Sequence, residues 1–336
     1  MDFPDAAQLY PLIFKPIYQE RIWGGTLMQE VLGRELPETK QPIGESWEVT
    51  DRPDAVSVVV NGPLAGCTLH ELLLHYGTAL TGGTERFEQF PLLVKLIDAG
   101  ERLSLQVHPD EVTCRQLGEG AEPKTEMWYI IAARREGCIL AGLDPRATLV
   151  QTKELLHSPE VEQMLRKHPS VPGDGYFIPS GTLHAIGAGN LILEIQQNSD
   201  TTYRLSDWGR VDAEGKSRTL HVEKGLASVH FTDRSNPRIV GVSDSAAHNR
   251  KFPLVKNCRH FTVDDLRLAG VWHDTTAGSS FHLLSCVDGS VTVKLANGCE
   301  TELKTGETAL VPYACGAYQI IPAQTGGTAA VIRTTL

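Results

Sequence analysis

Most of the chain is written in short extended runs punctuated by Gly, Pro, Asn and Asp, and this punctuation limits what it can fold into more than any other feature. AVSVVVNG (55–62), FPLLVKLID (90–98), RLSLQVHPD (102–110), EMWYIIAA (126–133), GYFIPSG (175–181), NLILEIQQNS (190–199), SVTVKLANG (290–298) and ETALVPY (307–313) are rich in β-branched and aromatic residues. Short strands at this spacing predict a mainly β protein, a sandwich or barrel. Helical patterning is sparse. TLHELLLHYGTAL (68–80) opens on a Thr N-cap and carries leucines at helical spacing, and 146–168 reads as two short helices with Ser158-Pro159-Glu160 as a cap-then-proline start. Their apolar stripes are read as packing faces. WGRVDAEGKSRTLHVEKGL (208–226) reads as a polar hairpin-like loop that feeds another helical start.

Around 233–253 the composition turns to DRSNPRIVGVSDSAAHNRKFP, polar and Gly/Pro/Ser-bearing, so the domain boundary is expected there: 1–240 as one domain with the helical additions, 241–336 as a second, smaller β-sandwich. A partial internal repeat supports the division. PGDGYFIPSGTLH (172–184) and TGETALVPYACGAY (305–318) share a glycine, an acidic residue, a short apolar strand and a proline, and the second copy lacks the histidine. A structural twin without metal is the reading.

Composition excludes several function classes. At 336 residues there is chain for about two domains. The net charge of −10 is spread without a Lys/Arg-rich run, against a nucleic-acid partner, so any phosphate must be held by a few local cations. No run of about 18 apolar residues offers a membrane span, and MDFPDAAQLYPLIFKPIYQERIWGG has no export-signal pattern. The seven cysteines are scattered, with no C-x-x-C pair, against a thiolate metal site or a disulfide framework. Reduced cysteines in a cytoplasmic protein are expected. With no coiled coil or long apolar helix to advertise an interface, a monomer is expected, a dimer being the alternative.

Gln106-Val107-His108 reads as strand, and positions i and i+2 of a strand point to one face. His184 closes G-x5-P-x-G-x-x-H, running Gly173, Pro179, Gly181 and His184, and Gly100-x5-Gln106-x-His108 forms the matching half. Together these resemble the two motifs of the cupin superfamily, with Gln106 where the first motif usually carries His. A cupin metal site also needs a carboxylate, and Glu126, opening a Trp/Tyr/Ile-rich strand, is the candidate. The set is then Gln106, His108, Glu126 and His184. With one anionic ligand a divalent ion would keep about one net positive charge and remain strongly Lewis-acidic. N/O ligation suits zinc, but also iron, manganese or nickel. A lone strand His is ordinarily a satisfied core or surface residue; the paired face and the Pro-Gly-His turn argue for metal. Lys95, Ser104, Lys124, Glu194, Asp200 and Arg204 cluster around these segments. Singly, each charge would be read as solvated surface. Trp23, Trp47, Trp128 and Trp208 are read as core or pocket wall.

IGESWEV (43–49), FPLLVKLIDAGERLSLQVHPDE (90–111), KTEMWYII (124–131), VPGDGYFIPSGTLHAIG (171–187) and LEIQQNSDTTYRLSDWGR (193–210) resemble the type I phosphomannose isomerase family in its short bacterial form. The likeness runs from Ile22 to about Val229 and weakens beyond. It implies two cupin-type jelly-roll domains, a few short helices packed on the first, and one Zn2+ per chain on Gln106, His108, Glu126 and His184. Carried over by position, catalytic and substrate-contacting groups fall on Lys124, Glu194, Asp200, Arg204 and Ser104, with Lys95 a weaker candidate. Two departures stand out. Only 58 residues (184 minus 126) separate Glu126 from His184, so the separate helical domain of long members is absent or vestigial. Ser206, in YRLSDW, stands where a larger, often aromatic residue is expected at the pocket edge.

The resemblance implies interconversion of mannose 6-phosphate and fructose 6-phosphate through a cis-enediol. The general base stays open among Lys124, Glu194 and Asp200. Two other classes compete. An iron cupin oxygenase would need open positions for O2, and a Gln-His-Glu-His set is unlike the two-His-one-carboxylate triad. A non-catalytic sugar-binding cupin could dispense with Lys124 or Arg204, and both are present.

Overall fold

A computed structural model describes residues 3–118, 120–156, 158–211, 215–241, 248–278, 280–323 and 328–336. Strands dominate, as the punctuated runs require, and the helices are few and short. The chain divides into two compact units, Met1–Ile17 with Trp47–Val94 and Ser243–Leu336, and Tyr18–Ser46 with Lys95–Val242. This modifies the expected division into 1–240 and 241–336. Residues 1–17 and 47–94 join the C-terminal strands, because Leu12–Ile13 pairs with Thr308–Val311 and Gly82 bridges Ser280. Part of the expected boundary segment, 242–247, lies outside the described residues.

The unit built on Tyr18–Ser46 and Lys95–Val242 rests on two sheets. One has the order Arg238–Ile239, Gly175–Ile178, Glu126–Ala133, Asn190–Gln197, Leu92–Ala99, Ile43–Val49, Ile17–Glu20, its last three strands also carrying the chain across the unit's limits. The other runs Leu165–Pro169, Cys138–Leu143, His184–Ile186, Leu105–Val107, Tyr203–Ser206. Alternation sorts their side chains. Ile97, Trp128, Ile130, Ile139, Ala141, Tyr176, Ile178, Ile186 and Ile192 pack into one buried cluster drawn from both sheets. Leu105, Val107, Leu140, Ala185, Tyr203 and Leu205 take the opposite face of the five-stranded sheet, against Leu156, Val161 and Val229. Those last residues belong to or adjoin Leu149–Leu155, the 3-10 turn Pro159–Met164 and Val222–Ser228. These short helices thus cover the outside of one sheet. Ser158 caps its turn as expected, its Oγ accepting from Glu160 N, but Leu165–Pro169 is strand where the sequence suggested helix to 168. Residues 212–214, within the polar loop read over 208–226, lie outside the described residues; the helix that follows is Val222–Ser228.

The other unit has a six-stranded sheet, Leu12–Ile13, Thr308–Val311, His282–Asp288, Ala329–Thr335, Thr262–Leu268, Arg250–Val255, and a four-stranded one, Trp272–Thr275, Ala317–Pro322, Ser290–Leu295, Glu300–Lys304. Burial in Ser290–Leu295 alternates with period two, the mark of a sheet with one face covered. Leu69–Tyr76 also lies here, with Thr68 as the expected N-cap and Glu71 completing a capping box, and it stops at Gly77 (φ 50°) before a further turn, Thr78–Thr81. Of the two copies of the internal repeat, only the first brings its residues to a His/Glu cluster among the described residues.

Candidate metal centre and adjoining cavity

Local backbone rules bring the predicted ligands together. Leu105–Val107 pairs antiparallel with His184–Ile186, placing His184 directly opposite Gln106. Val107 turns to the outer core while Gln106 points inward, and His108 follows just past the strand end. Gly181, at φ +87°, makes the turn that ends at His184, and its N–H donates to His108 O at 2.8 Å. Glu126 opens an interior strand of the neighbouring sheet, paired with Ile178 and Gln196.

His108, Glu126 and His184 present ligand atoms within 4.8 Å of one another, all buried. Nδ1 of His108 lies 2.8 Å from Thr201 O and Nδ1 of His184 lies 2.8 Å from Thr182 O. A carbonyl only accepts, so each Nδ1 carries the proton and each Nε2 presents a lone pair. Those Nε2 atoms face the Glu126 carboxylate at 3.6 and 3.4 Å. His108 Nε2 and Glu126 Oε1 have no hydrogen-bond partner, while Glu126 Oε2 lies 2.7 Å from Lys124 Nζ. Lys124 answers one carboxylate oxygen, but two imidazole lone pairs converging with the other leave buried acceptors facing one another that a bound cation would satisfy. Gln106 Nε2 is 3.2 Å from His184 Nε2, so half a turn of the amide presents its oxygen to the same point. The donor set fits a divalent ion, and fixed Nδ1 partners are what metal-binding imidazoles ordinarily have.

Protonation agrees. Burial lowers the pKa of His184 to about 3 and, with Lys124, lowers that of His108, so both rings stay neutral. Burial alone would raise Glu126, but the Lys124 ammonium beside it holds the carboxyl well below its usual range. Lys124 sits 2.7 Å from Glu126, on the face that two-residue spacing along an extended backbone gives it, and 3.7 Å from Glu194. Burial disfavours its charge, yet Glu126 and Glu194 raise its pKa above the ordinary value. Burial raises Glu194, whose Oε2 accepts from Trp128 Nε1 at 2.9 Å and whose Oε1 lies 3.6 Å from Lys95.

A cavity of about 290 Å³ adjoins this centre, lined by the expected Lys95, Ser104, Gln106, Lys124, Glu194, Asp200 and Arg204. All ten predicted site residues therefore lie at the cluster or on the cavity wall. Trp23 is pocket wall; Trp128 is core, edge-on to the His184 ring at 5.2 Å. Trp47 packs in the other unit, with Ala55 and Leu93. Ser206 is buried on the Tyr203–Ser206 strand and is absent from the lining. The sequence reading missed Arg21, Glu45, Thr202, Arg218 and His221, which also line the cavity. Arg21 grips Glu45 through two N–H donors at 3.0 and 3.1 Å, and Glu45 reaches toward Lys95 at 3.8 Å. Glu45 stood inside IGESWEV and could have been found there; Arg218 and His221 sat in what read as a polar hairpin-like loop feeding a helix.

Comparison with known proteins agrees with this architecture. A family model described as phosphomannose isomerase type I, catalytic domain, matches residues 12–133. The mannose-6-phosphate isomerase ManA of Bacillus subtilis (strain 168) is 36% identical over 310 residues, 92% of this chain and 95% of that protein. The crystal structure of the mannose 6-phosphate isomerase from Bacillus subtilis superposes with a TM-score of 0.84 at 33% identity, covering 97% of this chain and 99% of that one. A mannose 6-phosphate isomerase bound with zinc and yttrium, 17% identical, shares the fold (TM-score 0.73, 97% and 99% covered). The chain is thus an isomerase of the cupin fold. Within that class, it belongs to the phosphomannose isomerase type I family.

Among the described residues no helix is long and apolar enough to cross a membrane.

Proposed function

We propose that this chain is a zinc-dependent aldose–ketose isomerase that interconverts mannose 6-phosphate and fructose 6-phosphate, acting in the cytoplasm as a monomer. The observation behind the reading is the convergence of two neutral imidazoles and one carboxylate directly beside a buried Lys124–Glu194 pair on the wall of a sugar-sized cavity. Gln106, His108, Glu126 and His184 would hold the ion, one per chain, with the C-terminal sandwich metal-free. Bound there, zinc supplies Lewis-acid stabilisation of the negative charge that develops as a carbon-bound proton leaves.

The chain's own groups do the rest. The reaction moves one proton between C2 and C1 through a cis-enediol, which requires a base on one face and a hydroxyl-directed acid nearby. Glu194, fixed by Trp128 Nε1, serves as the base or hands the proton on, with Asp200 on the same wall as the other carboxylate available. Lys124, held at 2.7 Å from Glu126, is oriented to move protons at the substrate hydroxyls. Arg204 supplies fixed positive charge to the enediolate or the phosphate. Ser104 and Lys95 bind the sugar, and Trp23 with Ile97, Leu103 and Ile186 gives the cavity its apolar wall.

The test is a coupled assay of purified protein with mannose 6-phosphate, following fructose 6-phosphate. Turnover that falls at least a hundredfold in Arg204→Ala supports the reading. Tight sugar-phosphate binding without turnover would select a binding cupin, and O2 consumption with bound iron would select an oxygenase; either result refutes the assignment.

A further inference from the structure

No residue of 229–241 lines the cavity, yet this stretch reaches the segments that carry His108 and His184 and the strand beside Glu126. His230 makes the first two contacts. Its backbone N–H donates to Gly181 O at 2.9 Å, three residues before His184. Its Nε2 lies 3.1 Å from Asp110 Oδ2, two residues after His108. A carboxylate accepts, so Nε2 carries the proton. Gly181 N–H in turn donates to His108 O at 2.8 Å. These three hydrogen bonds and the short run of chain from His108 to Asp110 close a ring around the two imidazole-bearing segments.

The ring has little slack. Asp110 is held from its other side, where Oδ1 accepts Thr113 N–H at 2.7 Å as the N-cap of Glu111–Leu117. The His230 imidazole lies over Gly181, where a Cβ would come within 2.5 Å of its Cγ and Nδ1. Position 181 therefore needs glycine twice over, for its φ of +87° and for the ring that fills the side-chain space. Further along, Pro237 O accepts Phe177 N–H at 2.9 Å, and Arg238–Ile239 pairs with the start of Gly175–Ile178, the strand whose Ile178 stands opposite Glu126. Asp174 fastens this end, accepting from Arg238 Nε at 2.7 Å and from Gly241 N–H at 2.8 Å.

The His230–Asp110 pair is a poor source of folding stability. The two side chains are 46% and 25% exposed, and exposed ion pairs contribute little. Its effect is geometric. A metal centre needs its ligands held to within about 0.5 Å. His184 Nδ1 is set by Thr182 O, and Thr182 adjoins Gly181, so a shift of that turn displaces the imidazole together with the carbonyl that orients it.

We infer that His230 is a positioning residue for the metal centre: by tying Asp110 to Gly181 it fixes the separation of His108 and His184 and so raises the affinity for the ion. The inference rests on the zinc reading above and extends the centre to a side chain that touches neither the ion nor the cavity.

The test compares wild type with His230→Ala, His230→Phe and His230→Gln by competition for zinc against a chromophoric chelator, beside the unfolding midpoint of each metal-free protein. Phe keeps a ring over Gly181 but cannot donate to Asp110; Gln gives up the ring and keeps a donor of similar reach. Direct partners of metal ligands typically change affinity by roughly 10- to 100-fold, and His230 acts one contact further out, so Ala and Phe should each bind zinc about tenfold more weakly and release it faster. Their metal-free unfolding midpoints should stay near wild type, and His230→Gln should recover most of the affinity. Wild-type zinc affinity in both Ala and Phe overturns the inference. So does a loss of affinity matched by an equal loss of metal-free stability, which would make His230 an ordinary structural contact. If His230→Ala does not fold, the Phe and Gln variants decide. A wild-type chain that binds no zinc removes the reading beneath the inference and the inference with it, whereas one that binds zinc no more tightly than His230→Ala and His230→Phe removes the inference alone.

Discussion

Replacing Lys124 by Met removes one buried cation while keeping the length and apolar stem of the side chain, and its consequences follow from two distances. The ammonium is 2.7 Å from Glu126 and 3.7 Å from Glu194, with all three groups shielded from water. Deleting one partner of a buried ion pair costs about 3–5 kcal/mol, because the remaining charge is left without compensation. In the metal-free protein that full cost should appear as a lower unfolding midpoint. In the zinc-loaded protein the ion faces Glu126 and offsets much of it, so the stability gap between wild type and variant narrows on loading. Activity should not recover with stability. A proton-transfer group typically contributes roughly 10²–10⁴ in rate, so kcat should fall by that factor with KM little changed. The assays are chemical denaturation with and without zinc, and coupled turnover at saturating mannose 6-phosphate. Near-normal kcat in Lys124→Met with zinc bound would refute the role given to this side chain.

Two further outcomes follow from other parts of the chain. His282 is buried, its Nδ1 2.6 Å from Tyr318 Oη, and burial lowers its pKa to about 4. A depressed folded pKa means the unfolded chain binds the proton first, so His282 contributes stability above pH 6.5 that is lost as pH falls through about 4, in all about 3 kcal/mol. Urea unfolding midpoints between pH 7 and pH 4 should therefore drop less in His282→Gln than in wild type; an unchanged slope would contradict this. Gly100 precedes the Gln-x-His segment because a Cβ there would lie 2.4 Å from Gly24 O, a backbone atom that cannot step aside. Gly100→Ala should destabilise by about 1–3 kcal/mol, the range for forced overpacking, and a wild-type melting temperature would show the backbone to be more pliant than supposed.

The local chemistry was legible in the sequence wherever a short-range rule acts on neighbouring residues. The i, i+2 face of a strand put Gln106 and His108 together, the Pro-Gly turn aimed His184, and the Thr68 N-cap with its leucine spacing marked the helix that follows. Lys124 and Glu126 share a face for the same reason. What the sequence did not disclose depends on pairing across long separations. Nothing local to Leu12–Ile13 says that it will pair with Thr308–Val311, and that pairing moves the N-terminal residues into the C-terminal unit. RLSLQVHPD reads as a strand throughout, yet only Leu105–Val107 is paired as one, and His108 lies past the ladder, facing Glu126. Arg218 was invisible for a related reason: it meets Asp207 from across the loop, and a single arginine among polar residues carries no pattern. Glu45 and Arg21 likewise act as a pair only because two strands lie side by side.

The most direct measurement is the metal content and metal affinity of the wild-type chain beside those of Glu126→Gln, a change that keeps the shape of the side chain and removes its charge. The account predicts about one zinc per wild-type chain, activity lost on chelation and restored by zinc, and an affinity at least tenfold weaker in the variant. Equal zinc content and equal affinity in the two proteins, or wild-type turnover that survives complete removal of metal, would contradict it.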